Sequence, residues 1–478
     1  MSDRLLDILR GLRLGTGIAE REDEAHLRRW FVQTSQFENF VDGEVDLVLG
    51  PKGSGKTAMF RIICDGDYES HQLRSVDIVP AFSVTDALAG WEPYENPSSV
   101  TLEQMRGWWN AYIKAIVANH LANCYGETTG VDLRDMLDAA SLRMPDWTAR
   151  SAGRLSRWLN PSPIQERDTA KLVEGAEALR PEDLEEIFDT CIALLRSMGR
   201  SVWVVFDRLD EAFYEDPDFE AVALRALLAA HRDISVRKQV KTKLFLRDDL
   251  FRRVTAGTHR VVNLSHLNEQ TILWDRDLIR SLIARRLVAN DTFRMQTGAR
   301  RPDANSREGQ VKILAEYIPP ATPSDFPQSK RLGSMFEWII EYSTDASGRF
   351  NPRNVLSLLE HSRRAQIALC DSNSVSLRDN DGYMISARAI ARGSVEFSKT
   401  HLEKTIRAEY PEIRDALEAL EGHSREVTVA GLRTLLDIDG DEAQHVARRL
   451  HEAGVLKRRG GGRFEVSSLF VPALRCQK

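Results

Sequence analysis

No apolar run in this chain approaches the roughly 18 residues that a membrane-spanning helix needs, so the sequence offers no transmembrane segment. Cysteine is scarce and scattered. Cys64, Cys124, Cys191, Cys370 and Cys476 form no C-x-x-C pair and have no histidine at metal-ligand spacing, which excludes a zinc ribbon or a disulfide framework and makes reduced thiols the expectation. An excess of positive charge is lacking too: with a net charge of −6 and a pI near 6.1, any contact with nucleic acid or anionic lipid has to be local. The first 14 residues alternate Arg and Asp with Leu and Ile and lack the apolar core of a secretion signal, so a cytoplasmic location is expected. What remains is ordinary globular material, 42% hydrophobic and 28% charged, and 478 residues suffice for two to four domains.

The stretch around which the rest is organised is GPKGSGKT, residues 50–57, directly behind the apolar run 45–49. A strand that ends in a glycine-rich turn and opens a helix points successive backbone N–H groups at one spot, where they cradle the β- and γ-phosphates of a nucleotide. Gly50, Gly53 and Gly55 keep side chains away from the anion, with Pro51, Lys52 and Ser54 completing the turn. Lys56 reaches the terminal phosphates as a mobile charge, the Thr57 hydroxyl is placed to ligate Mg²⁺, and Ala58 continues into a helix whose dipole favours the anion. The aromatics between Phe37 and Phe40, just before the strand, are either an adenine-side lining or ordinary packing.

A second strand is expected over 75–84, on an edge because of Pro80. Residues 102–125 read as a long helix whose Trp108, Trp109 and Tyr112 are core, and residues 127–180 as a polar insertion. A helix over 181–198, stopped by Gly199, precedes the fully apolar run 202–206, which closes on Asp207. That is the pattern of a crossover into a central parallel strand, and a carboxylate at its C-terminal tip lies where open α/β sheets bind their ligands. Asp207 is therefore a candidate for the Mg²⁺ site, and Asp210 or Glu211 for orienting or deprotonating the attacking water. A further strand over 240–246 ends at Arg247, either a sensor of the γ-phosphate or the partner of Asp248 or Asp249; 260–264 reads as a short fifth strand.

From residue 272 onward helices take over, at 274–288, 310–318, 332–342 and 353–368. Arg353 follows Pro352 at a helix start, from where a guanidinium can reach a bound phosphate or simply pack. A long helix over 398–420 leads to a final module of strand, helix, turn, helix and a glycine-tipped hairpin, a winged-helix arrangement. Its basic residues Arg448, Arg449, Lys457, Arg458 and Arg459 leave two readings, DNA through residues 426–470 or a protein contact.

With GPKGSGKTA, FDRLDEAF and KLFLRDDLF in place, the chain resembles the bacterial P-loop ATPases of the AAA+/STAND group, of the kind common in defence islands. The resemblance implies an α/β P-loop NTPase core with a parallel five-stranded sheet in the order 5-1-4-3-2, a helical lid and a C-terminal winged helix. The corresponding regions are 1–30, 31–270, 271–395 and 396–478. It also implies ATP and Mg²⁺ as ligands, nucleotide-linked homo-oligomerisation and a place in antiviral defence. No nuclease, protease or membrane signature occurs, so an effector would be a separate protein. In one respect the chain departs from the common AAA+ pattern: Arg208, not a glutamate, follows Asp207, which points to slow hydrolysis. A slow ATPase switch, a DNA-acting ATPase and a non-hydrolysing scaffold are the functions to be distinguished.

Overall fold

The computed structural model describes residues 2–15, 17–65, 70–81, 100–126, 132–140, 142, 181–210, 216–255, 267–371 and 383–476. They form two compact units, Gln33–Ile272 on one side and Met1–Val32 together with Leu273–Lys478 on the other. Residues 1–30, 273–395 and 396–478 fall within the second of these.

The first unit is built on a sheet of five parallel strands, β1 Leu47–Gly50, β2 Val76–Ala81, β3 Ser201–Phe206, β4 Val240–Arg247 and β5 Glu269–Thr271. Their order is β2-β3-β4-β1-β5, the expected 5-1-4-3-2 counted from the other edge. Pro80 lies on β2, which among the described residues is an edge strand, a place that tolerates proline. The fifth strand is Glu269–Thr271; the strand expected over 260–264 lies outside the described residues. A three-residue edge strand with a solvated face needs no apolar side chains, so its sequence carries little strand signal.

Register sets the site. Phe206 of β3 lies across from Leu244 of β4, and Gly50 of β1 across from Arg247 of β4, which gathers the C-terminal tips of these three strands. Beneath them, Trp108, Trp109 and Tyr112 of the helix Leu102–Tyr125 are fully buried. Trp109 meets Phe206 edge-on at 5.7 Å and donates from Nε1 to the Ala223 carbonyl at 3.0 Å, which satisfies its one polar group. Phe37 and Phe40 are equally buried, with Phe40 against Phe245 at 5.1 Å, so these aromatics are packing residues.

Lys243, on β4, has no exposed surface. Its ammonium lies 4.5 Å from the Trp203 ring and 3.1 Å from the Asp46 carboxylate, and burial pulls its pKa down to about 8. The unfolded chain holds this proton up to the ordinary value of 10.5, so stability is lowest below pH 8 and rises as pH climbs from about 8 to 10.5. Lys243→Met is expected to abolish that rise in urea denaturation series at pH 7.5, 9 and 10; a variant with the wild-type slope would show that another group titrates.

The second unit is helical. Arg286, on the helix Arg276–Ala289, is buried; it donates to the Leu14 carbonyl, pairs with Glu22 at 3.6 Å and lies 4.5 Å from the Trp30 ring. A Cβ at position 15 would fall 2.0 Å from Arg286 Nη1, so only glycine fits there. This cluster fastens the N-terminal segment to a helix 250-odd residues further along the chain. The helix expected over 398–420 is a correction: the helix Ala387–His401 passes into a π-helical turn, Leu402–Ile406, and ends before Pro411. Proline lacks the N–H and disfavours helical geometry at the residue before it, here Tyr410 at φ −131° and ψ 65°.

The C-terminal module comprises β6 Glu426–Thr428, helices Val429–Leu436 and Gly440–Glu452, and the hairpin β7 Leu456–Arg459 and β8 Arg463–Val466. The strands are antiparallel in the order β6-β8-β7, completing a winged helix. It is joined to the rest of its unit by the bond from Ala346 N–H to the Gly454 carbonyl at 2.7 Å.

Candidate nucleotide site

The loop after β1 takes its shape from its glycines. Gly53 and Gly55 adopt φ of +85° and +102°, a region hostile to other L-residues, and Gly55 caps the helix Lys56–Cys64. A Cβ on Gly50 would lie 2.5 Å from Ser54 Oγ, so the first glycine is required by close approach within the turn. Lys56 folds over this turn, donating from Nζ to the carbonyls of Gly50 at 2.8 Å and Pro51 at 3.0 Å. Burial lowers its pKa, and the fields of Asp207, Asp210 and Asp248 act against that shift.

The strand order and this loop together decide the fold. The first unit is a P-loop NTPase core.

Beside the loop, at the tip of β3, stands Asp207. Burial raises its pKa to about 6, opposed by a hydrogen bond from the Thr57 hydroxyl, by the Arg208 N–H and by the charge of Lys56. Its Oδ2 is buried without a hydrogen-bond partner. An orphaned, buried carboxylate oxygen next to a threonine hydroxyl is a hard oxygen pair, and it fits Mg²⁺, which takes few protein ligands and completes its shell with phosphate and water. Among the described residues no cluster of three or more histidine, cysteine or acidic side chains suits an all-protein metal cage. Arg208 takes φ +59°, in the left-handed region, at the position after the acid.

Arg247 grips Asp249 with two bonds, Nε to Oδ1 at 3.1 Å and Nη2 to Oδ2 at 2.8 Å, and its Nη1 lies 3.6 Å from Asp210. Lys56, Thr57, Asp207, Asp210 and Arg247 are thus brought together at the C-terminal end of the three central strands. Glu211 lies outside the described residues. Arg353 belongs to the other unit, where its Nε donates to the Gly17 carbonyl at 3.1 Å and burial lowers its pKa. Asp248, which the sequence offers only as a partner for Arg247, also brings its charge to Lys56, from its place one residue beyond the β4 tip.

No model of a known protein family matches the chain. Among curated proteins, the "Putative transposon gamma-delta 80.3 kDa protein" of Escherichia coli (strain K12) is 21% identical over 243 residues, 49% of this chain. The match spans only a third of that relative's length, 33%. Among solved structures, the Walker-type ATPase PabY2304 of Pyrococcus abyssi aligns over 96% of both chains at 12% identity and a TM-score of 0.39. Cdc6p from Pyrobaculum aerophilum aligns over 95% of this chain and 97% of its own at 11% identity and a TM-score of 0.32. Among the described residues no helix is long and apolar enough to cross a membrane.

Proposed function

We propose that this chain binds ATP with Mg²⁺ and hydrolyses it slowly, as a nucleotide-dependent switch that assembles with copies of itself and acts through a separate effector. The observation that carries this reading is the meeting of Lys56, Thr57 and Asp207 around a turn whose glycines are sterically required. Backbone N–H groups of residues 52–58 and the Lys56 ammonium hold the β- and γ-phosphates. Thr57 and Asp207 would hold Mg²⁺, which when bound would draw charge from the phosphates and lower the barrier to displacement.

The remaining residues set the rate. Asp210 lies beside Arg247, and so is the described carboxylate with a polar partner in reach of an attacking water; Glu211 shares the candidacy from the sequence. Arg247 is held by Asp249 in a planar two-point grip, and the same fork suits a γ-phosphate oxygen if the grip is exchanged. With Arg208 at the position after Asp207, no carboxylate stands there to orient water, which favours long-lived bound ATP over rapid turnover. Such a bound state suits a switch, and antiviral defence is the setting the resemblance favours.

The test is ATP turnover and molecular mass measured together on the full chain. Turnover slower than about one per second, the low end of ordinary enzyme rates, with a rise in mass on adding ATP and Mg²⁺, supports the switch. ATP that neither binds nor alters the mass overturns it.

A further inference from the structure

We propose that the hairpin β7–β8 is a sequence-independent contact for the phosphate backbone of duplex nucleic acid, and that the helix Gly440–Glu452 does not read bases. The hairpin exposes Lys457, Arg458, Arg459 and Arg463 in a chain whose net charge is negative. Arg459 stands directly across the ladder from Arg463, and like charges in opposed positions weaken a hairpin. Glu465 offsets part of this, accepting from Arg459 Nε at 2.7 Å and pairing with Arg425 at 2.9 Å. Lys457 stands across the ladder from Glu465 and its charge also reaches Glu341, whereas among the described residues Arg458 and Arg463 make no ion pair.

The tip points the same way. Gly461 and Gly462 have φ of +70° and +73° and need to be glycine, but Gly460 has no such constraint, and a Cβ on any of the three meets nothing within 4 Å. Three bare residues between four cations let the turn come close to a backbone of phosphates, whose oxygens guanidinium groups match as forks.

The helix carries the opposite charge where it matters. In a helix-turn-helix, the N-terminal residues of the second helix approach the base edges. Here that end bears exposed Asp437, Asp439, Asp441 and Glu442, and Asp439 is already the cap, accepting from the Glu442 N–H at 2.8 Å. Arg449 is engaged by Glu412 at 2.9 Å and Glu452 at 2.6 Å and lies over the Tyr410 ring. Phosphates on either side of a major groove would repel this end of the helix and attract the hairpin. A partner that presents one negative charge after another at regular spacing, without sequence, fits that distribution.

Fluorescence anisotropy of the full chain with two labelled duplexes of equal length and unrelated sequence tests this. Both are expected to bind equally, with log K falling against log salt at a slope of about −2 to −3 between roughly 50 and 200 mM, since each phosphate contact contributes about 0.9. The triple charge reversal Lys457→Glu, Arg458→Glu, Arg463→Glu is expected to weaken binding more than about tenfold at the lower salt and flatten the slope. The triple glutamine variant at the same positions gives a smaller loss and serves if the reversal disturbs folding, which a melting curve checks. Gln444→Ala with His445→Ala leaves binding unchanged. Absence of binding at the lower salt overturns the proposal, as does a strong preference between the duplexes that Gln444→Ala removes. Polyglutamate that competes as well as DNA at equal charge overturns it in favour of an acidic protein.

Discussion

Replacing Lys56 with alanine is expected to lower ATP turnover at least about a hundredfold and to remove the thermal stabilisation that ATP with Mg²⁺ gives the wild-type chain. Wild type should gain about 2.7 kcal/mol at a nucleotide concentration a hundred times its dissociation constant, because ligand binds the folded state alone. The argument rests on where the ammonium sits. It is held over the turn by the carbonyls of Gly50 and Pro51, among the carboxylates of Asp207, Asp210 and Asp248. Take it away and three acids face an incoming polyanion beside Arg247, whose charge is already engaged by Asp249 and Asp210. Lys56→Arg keeps the charge but replaces a compact ammonium with a planar fork, and is expected to recover part of the binding and little of the turnover. Isothermal titration and a phosphate-release assay separate these two quantities. An alanine variant that turns over ATP like wild type would move the site elsewhere.

Local chemistry made much of this site legible before any coordinates. A glycine-rich turn between an apolar strand and a helix, and an acid at the end of a second apolar strand, are short-range patterns, and both are where the sequence puts them. The buried indoles of Trp108 and Trp109 follow from helical spacing in the same way. What was not legible depends on distant partners or on weak signals. Glu269, Gln270 and Thr271 have no apolar pattern, and only the pairing with Leu47, Val48 and Leu49 makes them a strand. Likewise, nothing near Glu22 or Trp30 announces Arg286, so the attachment of the N-terminal segment to the helical unit emerges only in three dimensions. The helix expected to run to residue 420 failed for a local reason, Pro411, which was open to view.

The two arginines weighed as phosphate sensors differ in what each would give up to act. Arg247 is the register partner of Gly50, and its present grip is on an acid two residues away, so a modest side-chain rotation trades one planar partner for another. Arg353 gives one bond to a backbone carbonyl, that of Gly17, inside the unit to which both belong. Its evident work there is to hold the N-terminal segment, next to the place where Arg286 does the same.

Asp207→Asn should split stability from function. Asparagine keeps an oxygen for the Thr57 hydroxyl and nearly the same shape, but it cannot carry the charge that a divalent cation needs. Turnover dependent on Mg²⁺ is expected to fall about a hundredfold. Stability of the nucleotide-free chain should move the other way. The wild-type carboxyl has its pKa raised from 3.8 to about 6 by burial, so above pH 6 the folded state bears an ionised group that water would hold more comfortably. Its cost is absent below about pH 4, grows as pH rises to about 6, and is complete at pH 7.5, where it amounts to about 3 kcal/mol. The variant should therefore melt above wild type at pH 7.5 and alongside it at acid pH, with no further gain from ATP and Mg²⁺. Melting both proteins at pH 3.5 and 7.5, with and without Mg²⁺ and ATP, reads all of this at once. A variant less stable than wild type at pH 7.5 would mean that the Asp207 charge supports the fold, and that the carboxylate is structural, not held in readiness for a cation.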